Sequence, residues 1–166
     1  MKKLLTFLLV LLLPLLSLTG CLQEKPQEPK VNHAALKELG YRGLAFYERH
    51  GGHTIRKHVG KTGSWLKERL KREERLKSAS TFYDLKTAER VVEAAISQNR
   101  EKILRWLKNP NAPNKLVITY RGSKPIGFKV TRVQKGVFEE STCTDARVIL
   151  KKDGRFGYIV LTAYPI

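Results

Sequence analysis

The spacing of apolar residues changes near Lys115, and this change restricts the folds that the 166-residue chain can adopt. Before that position, apolar residues recur at three- and four-residue steps, which is the period of an amphipathic helix. After it they alternate with polar residues, which is the period of a strand with one buried face. Helices followed by strands, without alternation of the two, predict an α+β fold in which N-terminal helices pack on an antiparallel sheet.

Three helical segments are predicted in the first half of the chain. Residues 33–48 carry an imperfect helical stripe interrupted by two glycines, and residues 64–77 form a strongly charged helix. Asp84 is placed to cap the third and longest helix, whose apolar positions extend to Leu107. Because these positions share one face, we assign them to the core together with the adjacent Trp106.

Four strands are predicted in the second half, namely KLVITY, IGFKV, ARVILKK and GYIVLTAY. A Gly-Ser-Lys-Pro turn joins the first two, and the last two form a hairpin around Asp153-Gly154. In the last strand we expect Val160, Thr162 and Tyr164 to point to one face, since side chains alternate along a strand.

The first twenty residues have the pattern of an export signal. Two lysines precede an apolar run from Leu4 to Leu18, which is shorter than the ~20 residues of a transmembrane helix. The run ends in Leu-Thr-Gly-Cys, which resembles the lipobox of bacterial lipoproteins. We therefore expect a signal peptide over residues 1–20, a lipid on Cys21 and anchoring to a membrane of the cell envelope. The alternative is an ordinary secretory signal with an incidental cysteine.

Residues 21–32 comprise this cysteine and a polar stretch with two prolines, which is predicted to be a flexible tether. The remaining residues, 33–166, have a length typical of one domain. Once Cys21 is lipidated, Cys143 is the cysteine that remains, so the domain is predicted to lack disulfides. Cys143 lies in the polar segment EESTCTDAR, where we predict a loop with an unreactive thiol.

The predicted mature chain is strongly basic. Of the 32 lysines and arginines, two lie in the signal, which leaves 30 basic residues against 15 acidic ones and a formal charge of +15. An excess of this size indicates a polyanionic partner, which could be nucleic acid, anionic lipid or a cell-wall polymer.

The segment GGHTIRKHVGKT, residues 51–62, concentrates side chains that are able to do chemistry. It ends like a phosphate-binding P-loop, but Ile55 occupies the position of that motif's first glycine. Its two histidines, with His50 before them, lack the spacing of a metal site, and the sequence contains no HExxH, CxxC or GxSxG motif. We therefore expect neither a metal nor another cofactor.

The same segment offers groups for metal-free phosphate chemistry. Cleavage of RNA by its own 2′-hydroxyl needs proton-transfer groups, which histidine supplies near neutral pH, and a cation for the crowded phosphate. His58 and Arg69 are eleven residues apart, about three turns of a helix, although two glycines interrupt the segment. Spacing alone favours an ordinary helix-end histidine and a solvated arginine. Thr162 and Tyr164 could contact one phosphate together, or simply suit a half-exposed strand.

Several ordered motifs, GGHTIRKHVGKT, LKERL, STFYDLKTAERVVEAAI and VLTAYP, resemble the RNase A-like toxin domain at the C-termini of bacterial contact-dependent inhibition proteins. The resemblance extends from about His50 to Pro165. It implies a helical first half packed on a curved antiparallel sheet, without the disulfides of the vertebrate enzymes. It also implies an endoribonuclease that cleaves single-stranded RNA by 2′-hydroxyl transphosphorylation. The +15 charge of the mature chain further predicts an acidic immunity protein as a partner, if the producing cell needs protection.

The active site of that family comprises a histidine, an arginine, a threonine and a tyrosine. By resemblance, the last two correspond to Thr162 and Tyr164, and the arginine corresponds to Arg69. The histidine corresponds to His58, with His53 as a rival that could instead fix the loop by hydrogen bonding.

The export signal departs from the family pattern, in which the toxin domain ends a very large export protein. Two functions therefore follow from the sequence. The first is a metal-independent ribonuclease of the toxin type, with Lys61 as a further phosphate contact unless that lysine is merely solvated. The second is a catalytically silent basic lipoprotein that binds nucleic acid or an anionic envelope polymer. In either case we expect a monomer.

Overall fold

The computed structural model describes residues 28–166. Four short helices come first: α1 (His33–Glu38), α2 (Leu44–Arg49), α3 (Thr54–His58) and α4 (Gly63–Arg72). They are followed by β1 (Ser78–Phe82), α5 (Leu85–Gln98) and α6 (Arg100–Lys108). Five strands complete the chain: β2 (Lys115–Tyr120), β3 (Gly127–Gln134), β4 (Val137–Cys143), β5 (Ala146–Asp153) and β6 (Gly157–Pro165).

The strands form two antiparallel sheets, ordered β1-β3-β4 and β2-β5-β6. The two sheets meet where the end of β6 lies against β1, and there the Ser80 hydroxyl donates a hydrogen bond of 2.7 Å to the Pro165 carbonyl. Cys143 has a free thiol. The predicted α+β class, with antiparallel strands and without disulfides, is confirmed.

A main core lies between α5 and the sheet β2-β5-β6, and a smaller one lies beneath α4. The Asp84 side chain accepts a hydrogen bond of 2.7 Å from the Thr87 backbone N–H, so the predicted cap of α5 is confirmed. The predicted long helix is nevertheless broken at Asn99, after which α6 begins. Trp106 is buried in the main core, as predicted, and its indole N–H donates to the Pro113 carbonyl.

The other predicted helices are also shorter than expected. Residues 33–48 form two helices because the chain turns at Gly40, whose φ of 65° is the left-handed conformation that glycine adopts without strain. The charged helix ends at Arg72 instead of continuing to residue 77, and β1 follows it.

Two strands, β1 and β4, lack the alternation of apolar and polar residues that predicts a strand. β1 is buried at four of its five positions, whereas β4 is mostly exposed, so neither has one buried face. The predicted loop around Cys143 is therefore wrong: this residue ends β4 and is only 2% exposed. Burial raises the pKa of its thiol, which lowers its reactivity at neutral pH.

The predicted strands of the second half are present, but their pairing is only partly as expected. β5 and β6 form the predicted hairpin, with Asp153 opposite Gly157. β2 and β3 are joined by the Gly-Ser-Lys-Pro segment but do not pair, since β2 pairs with β5 and β3 pairs with β1 and β4.

A β-bulge changes which way the side chains of β6 point. Thr162 is opposite Ile149, but Val160 is opposite Leu150, so Leu161 is the additional residue of the bulge. The predicted common face of Val160, Thr162 and Tyr164 is therefore wrong. Val160 is buried in the main core, whereas the two hydroxyl-bearing residues line a cleft on the other side.

Helix α3 is attached to β6 at this bulge. The His53 backbone N–H donates to the Leu161 carbonyl at 3.0 Å, and the Ala163 N–H donates to the buried Thr54 hydroxyl at 2.9 Å. The preceding residue must be glycine, because a Cβ at Gly52 would lie 2.6 Å from the Val160 carbonyl oxygen.

Residues 28–32, at the end of the predicted tether, lie against the domain. The Glu28 carboxylate accepts hydrogen bonds from the Tyr120 hydroxyl at 2.6 Å and from the Ser123 hydroxyl at 2.9 Å. The predicted signal peptide, Cys21 and the rest of the tether lie outside the described residues. Within residues 28–166, no helix has the length and apolar composition needed to cross a bilayer.

Replacing Thr54 with valine should destabilise the fold. Valine has the same shape but leaves the Ala163 N–H without its acceptor, and an unsatisfied buried donor costs about 1–3 kcal/mol. We expect the free energy of unfolding, measured by urea denaturation, to fall by that amount. Thr119→Val, on the partly exposed surface of β2, is the control and should change it by less than about 0.5 kcal/mol. Equal effects of the two substitutions would contradict the proposed anchor.

Candidate active site

A cleft of about 470 Å³ lies where α3, α4, β1 and the end of β6 meet. Its lining includes five of the six side chains proposed from the sequence: His53, His58, Arg69, Thr162 and Tyr164. Lys61 is not part of this lining. Its backbone N–H donates to the Thr81 hydroxyl, and its ammonium nitrogen lies 5.3 Å from the centroid of the Trp65 ring.

His58 is the last residue of α3 and is only 8% exposed. Its Nδ1 lies 3.1 Å from the backbone carbonyl oxygen of Ser80 in β1. Because a carbonyl can only accept, Nδ1 carries the proton, and Nε2 of the neutral ring is left as a proton acceptor. The imidazole centroid is 5.4 Å from that of Tyr164, so the ring is held between two elements.

Both histidines of the cleft have lowered pKa values. Burial lowers the pKa of His58 to about 4; the hydrogen bond to the Ser80 carbonyl opposes this shift, and the charge of Arg69 adds to it by a smaller amount. The pKa of His53 is lowered by burial and by the nearby Lys57 and Arg56. At neutral pH the imidazole of His58 is therefore uncharged, as a proton acceptor must be.

His53 precedes α3, and its ring centroid lies 6.5 Å from that of His58. The backbone of His53 fixes the loop through its hydrogen bond to Leu161, and its side chain makes no capping hydrogen bond to α3. The cap comes instead from Glu48, whose carboxylate accepts from the N–H groups of Ile55 and Arg56. The imidazole of His53 thus faces the cleft without a role in holding the helix.

Arg69 lies on the second half of α4 and is only 9% exposed. Its Nε donates to the Glu73 carboxylate at 3.1 Å, one helical turn away, and this ion pair orients the guanidinium. A guanidinium has two further NH₂ groups in the same plane, which can bind two oxygens of one anion.

Thr162 is 6% exposed, and its hydroxyl oxygen has no hydrogen-bond partner within residues 28–166. Buried hydroxyl groups are nearly always hydrogen-bonded, so this one is available to a ligand. Tyr164 lies two residues further along the same face and is less buried. The bulge at Leu161 is what turns both side chains towards the cleft.

Four further basic residues line the cleft, and none of them stands out in the sequence: Arg75, Lys77, Lys129 and Arg147. Arg75 and Lys77 come from the segment before β1, Lys129 from β3 and Arg147 from β5, so the tertiary structure brings these segments together. No aspartate or glutamate is among the described residues of the lining. In the sequence, the net charge of the chain was the general signal for this basic lining. Ser80, whose carbonyl holds His58, was also not predicted, because β1 has no strand pattern in the sequence.

Within residues 28–166, no three His, Cys, Asp or Glu side chains are close enough together to hold a metal ion. The cleft instead combines two neutral imidazoles, one oriented guanidinium and two hydroxyl groups under a positive field. These groups are able to bind a phosphate and to move a proton on or off a neighbouring oxygen.

Comparison with known proteins identifies relatives of this domain. Residues 52–165 match the family described as Bacterial CdiA-CT RNAse A domain. A similar solved structure is titled "Crystal structure of CdiA-CT/CdiI complex from Y. kristensenii 33638"; the matched chain is 38% identical, with a TM-score of 0.62, and the match covers 69% of this chain and 99% of that one. Curated proteins give no match. The resemblance to the toxin domain and its RNase A-like fold is confirmed.

The buried His58 should make the fold sensitive to acid. Its pKa of about 4 in the folded protein lies below the ~6.5 of an unfolded chain, so between these values the unfolded chain binds the proton. The part of the stability that depends on His58 should therefore fall as the pH drops through this window and change no further below it. From pH 7 to pH 4, the wild-type protein should lose roughly 3 kcal/mol more than His58→Asn, which keeps a donor for Ser80 but does not titrate. Urea denaturation of both proteins across this range measures the difference, and parallel pH profiles would contradict the assignment.

Proposed function

Because this chain belongs to the bacterial CdiA-CT RNase A domain family, we propose that it is a toxin-type endoribonuclease that cleaves single-stranded RNA without a metal ion. The observation that carries this proposal is the convergence of His58, Arg69, Thr162 and Tyr164 in one basic cleft. These residues come from two neighbouring helices and from the last strand, about a hundred residues further along the chain. Each has a chemical role in transfer of a phosphoryl group to a neighbouring hydroxyl.

In the first step His58 acts as the general base. Its Nδ1–H is held by the Ser80 carbonyl, so Nε2 takes the proton of the RNA 2′-hydroxyl. The resulting 2′-oxygen attacks the adjacent phosphorus, and the bond from phosphorus to the 5′-oxygen of the next nucleotide breaks. The products are a 2′,3′-cyclic phosphate and a free 5′-hydroxyl.

The leaving 5′-oxygen needs a proton, which we assign to His53. Its imidazole is the second one in the cleft, and the negative charge of a bound phosphate favours the protonated ring. With one imidazole as base and the other as acid, the proton that leaves the 2′-hydroxyl and the proton that reaches the 5′-oxygen are both accounted for.

The remaining groups bind the phosphate as its negative charge increases. The NH₂ groups of Arg69 contact two of its oxygens, and the buried Thr162 hydroxyl, which has no partner within residues 28–166, hydrogen-bonds to another. Tyr164 positions a further oxygen from the same strand. The surrounding lysines and arginines attract the polyanion at long range.

We further propose that an acidic immunity protein binds this cleft in the producing cell. The similar solved structure is a complex whose title names CdiI together with CdiA-CT, and the cleft of this chain has a basic lining. A partner with carboxylates in the positions of RNA phosphates would block the substrate site.

Cleavage should depend on the 2′-hydroxyl of the substrate and not on a metal ion. We expect the purified domain to cut single-stranded RNA in EDTA, to leave DNA and 2′-O-methyl RNA intact, and to release 2′,3′-cyclic phosphate ends detectable by mass spectrometry. His58→Ala and His53→Ala should each reduce kcat by roughly 10²–10⁴-fold, the usual cost of losing a proton-transfer group. Arg69→Lys should also reduce kcat, because lysine lacks the planar pair of donors.

His33→Ala provides the matched control, since His33 is exposed at the start of α1. This variant should cleave RNA at the rate of the wild-type protein. Circular dichroism and urea denaturation show whether the variants remain folded. The mechanism is wrong if EDTA abolishes cleavage or if DNA is cut as fast as RNA. Binding of RNA without any cleavage would instead favour a catalytically silent binding protein.

We also propose that the protein is exported and held at a membrane by a lipid on Cys21. Support comes from the lipobox-like sequence at the end of the apolar run. In a bacterial host, the full chain should partition into the membrane fraction and incorporate labelled palmitate, and Cys21→Ser should do neither. A Cys21→Ser protein that is still processed and membrane-bound would contradict the proposed lipid anchor. It would not affect the proposed ribonuclease activity.

A further inference from the structure

The cleft continues onto a surface of aromatic and basic side chains that the catalytic mechanism does not use. We propose that Trp65, Lys61 and Tyr83 form a binding track for the nucleotides next to the scissile phosphate. In this aromatic track, bases stack on the two rings, and Lys61 contacts the neighbouring phosphate. The proposal deepens the function inferred above and rests on it.

Trp65 is placed at the border between the cleft and this surface. It lies one helical turn before Arg69, whose guanidinium carbon is 6.0 Å from the centroid of the indole ring. The ring packs partly against the small core beneath α4 and is otherwise exposed. A phosphate held by Arg69 therefore has an indole beside it, at the place where an adjacent base must go.

Lys61 approaches the same ring from the direction of the α3–α4 connection. Its ammonium nitrogen is 5.3 Å from the ring centroid, and its backbone is fixed by the hydrogen bond to the Thr81 hydroxyl. Two cations therefore lie beside the indole, Arg69 in the lining of the cleft and Lys61 outside that lining. Two cations next to one aromatic ring suit a single strand, in which each base lies between two phosphates.

Tyr83 extends the surface beyond Lys61. It immediately follows β1, is 47% exposed, and lies with its ring centroid 6.4 Å from that of the partly buried Phe128. Two acidic side chains near this surface are already engaged: Glu140, which approaches Gly63, is paired with Lys67 at 2.9 Å, and Asp84, which follows Tyr83, accepts a hydrogen bond from the Thr87 N–H. An exposed aromatic ring beside a basic cleft favours a nucleic acid strand over an acidic polypeptide, which has no bases to stack.

The two tryptophans of the chain allow a direct test of stacking. In Trp106→Phe, Trp65 remains as the fluorescent reporter. Binding of a 2′-O-methyl hexanucleotide, which the enzyme cannot cleave, should quench its emission because a base stacks on the indole. Poly-glutamate, which has comparable charge but no bases, should not quench it.

The second measurement is affinity as a function of length, from a 2′-O-methyl dinucleotide to a hexanucleotide. The affinity for the hexanucleotide divided by that for the dinucleotide should fall by roughly 5–150-fold in Trp65→Leu and in Tyr83→Leu, which corresponds to about 1–3 kcal/mol per stacked base. Trp65→Phe, which retains a smaller ring, should give an intermediate ratio. In Lys61→Gln the slope of log affinity against log salt concentration should become less steep, by about the amount that one phosphate contact contributes.

Two matched controls come from outside the lining of the cleft. The Lys152 ammonium nitrogen lies 5.7 Å from the centroid of the Trp106 ring, as Lys61 lies near Trp65, and the guanidinium carbons of Arg42 and Arg155 lie 5.3 and 5.1 Å from the centroid of the Phe156 ring. Phe156 precedes Thr162 by six residues, about 20 Å along β6. Lys152→Gln and Phe156→Leu should therefore leave the length dependence unchanged.

The outcomes separate this proposal from the proposed function. If the wild-type protein cuts no RNA but binds longer oligonucleotides more tightly, and Trp65→Leu loses this length dependence, the aromatic track is supported and the proposed ribonuclease function is contradicted. RNA cleavage with unchanged length dependence in Trp65→Leu, Tyr83→Leu and Lys61→Gln overturns the track alone. Equal losses of RNA and poly-glutamate binding in these variants would assign the surface to an acidic polypeptide and also overturn it.

Discussion

The attachment of α3 to the bulged strand β6 is the interaction on which the rest of the site depends. Two hydrogen bonds, from the His53 N–H to Leu161 and from the Ala163 N–H to Thr54, join a loop early in the domain to its last strand. The bulge frees Leu161 from the regular pairing and turns Thr162 and Tyr164 away from the core. A single arrangement therefore presents the histidines and the two hydroxyl groups to the same space.

The site is built from features that reduce the stability of the free protein. A hydroxyl oxygen is buried without a partner within residues 28–166, and several cations line one cleft. Each of these is unfavourable until an anion binds, because the anion supplies a hydrogen-bond acceptor and opposite charge. Such conflicts between stability and local chemistry are expected where a ligand completes the structure.

No disulfide constrains this domain within residues 28–166, so its cores must hold the elements in place. The main core packs α5 on the sheet β2-β5-β6, and the smaller core packs α4 on β1 and β3. The cleft lies where these two units meet, with Arg69 supplied by one and Thr162 by the other. Correct placement of the side chains that line the cleft thus depends on the contact between Ser80 and Pro165 that joins the sheets.

Local signals in the sequence predicted the α+β class, the cap at Asp84, the β5–β6 hairpin and five of the side chains that line the cleft, because periodicity, capping chemistry and family motifs are local. It did not reveal β1 and β4, since one strand is buried on both faces and the other on neither. Nor could it reveal the bulge at Leu161, which depends on how β6 pairs with β5. The contact of Ser80 with His58, the position of Lys61 outside the cleft and the four additional cations that line the cleft follow from packing in three dimensions. They could not be predicted from the sequence, because these contacts join residues that are distant along the chain.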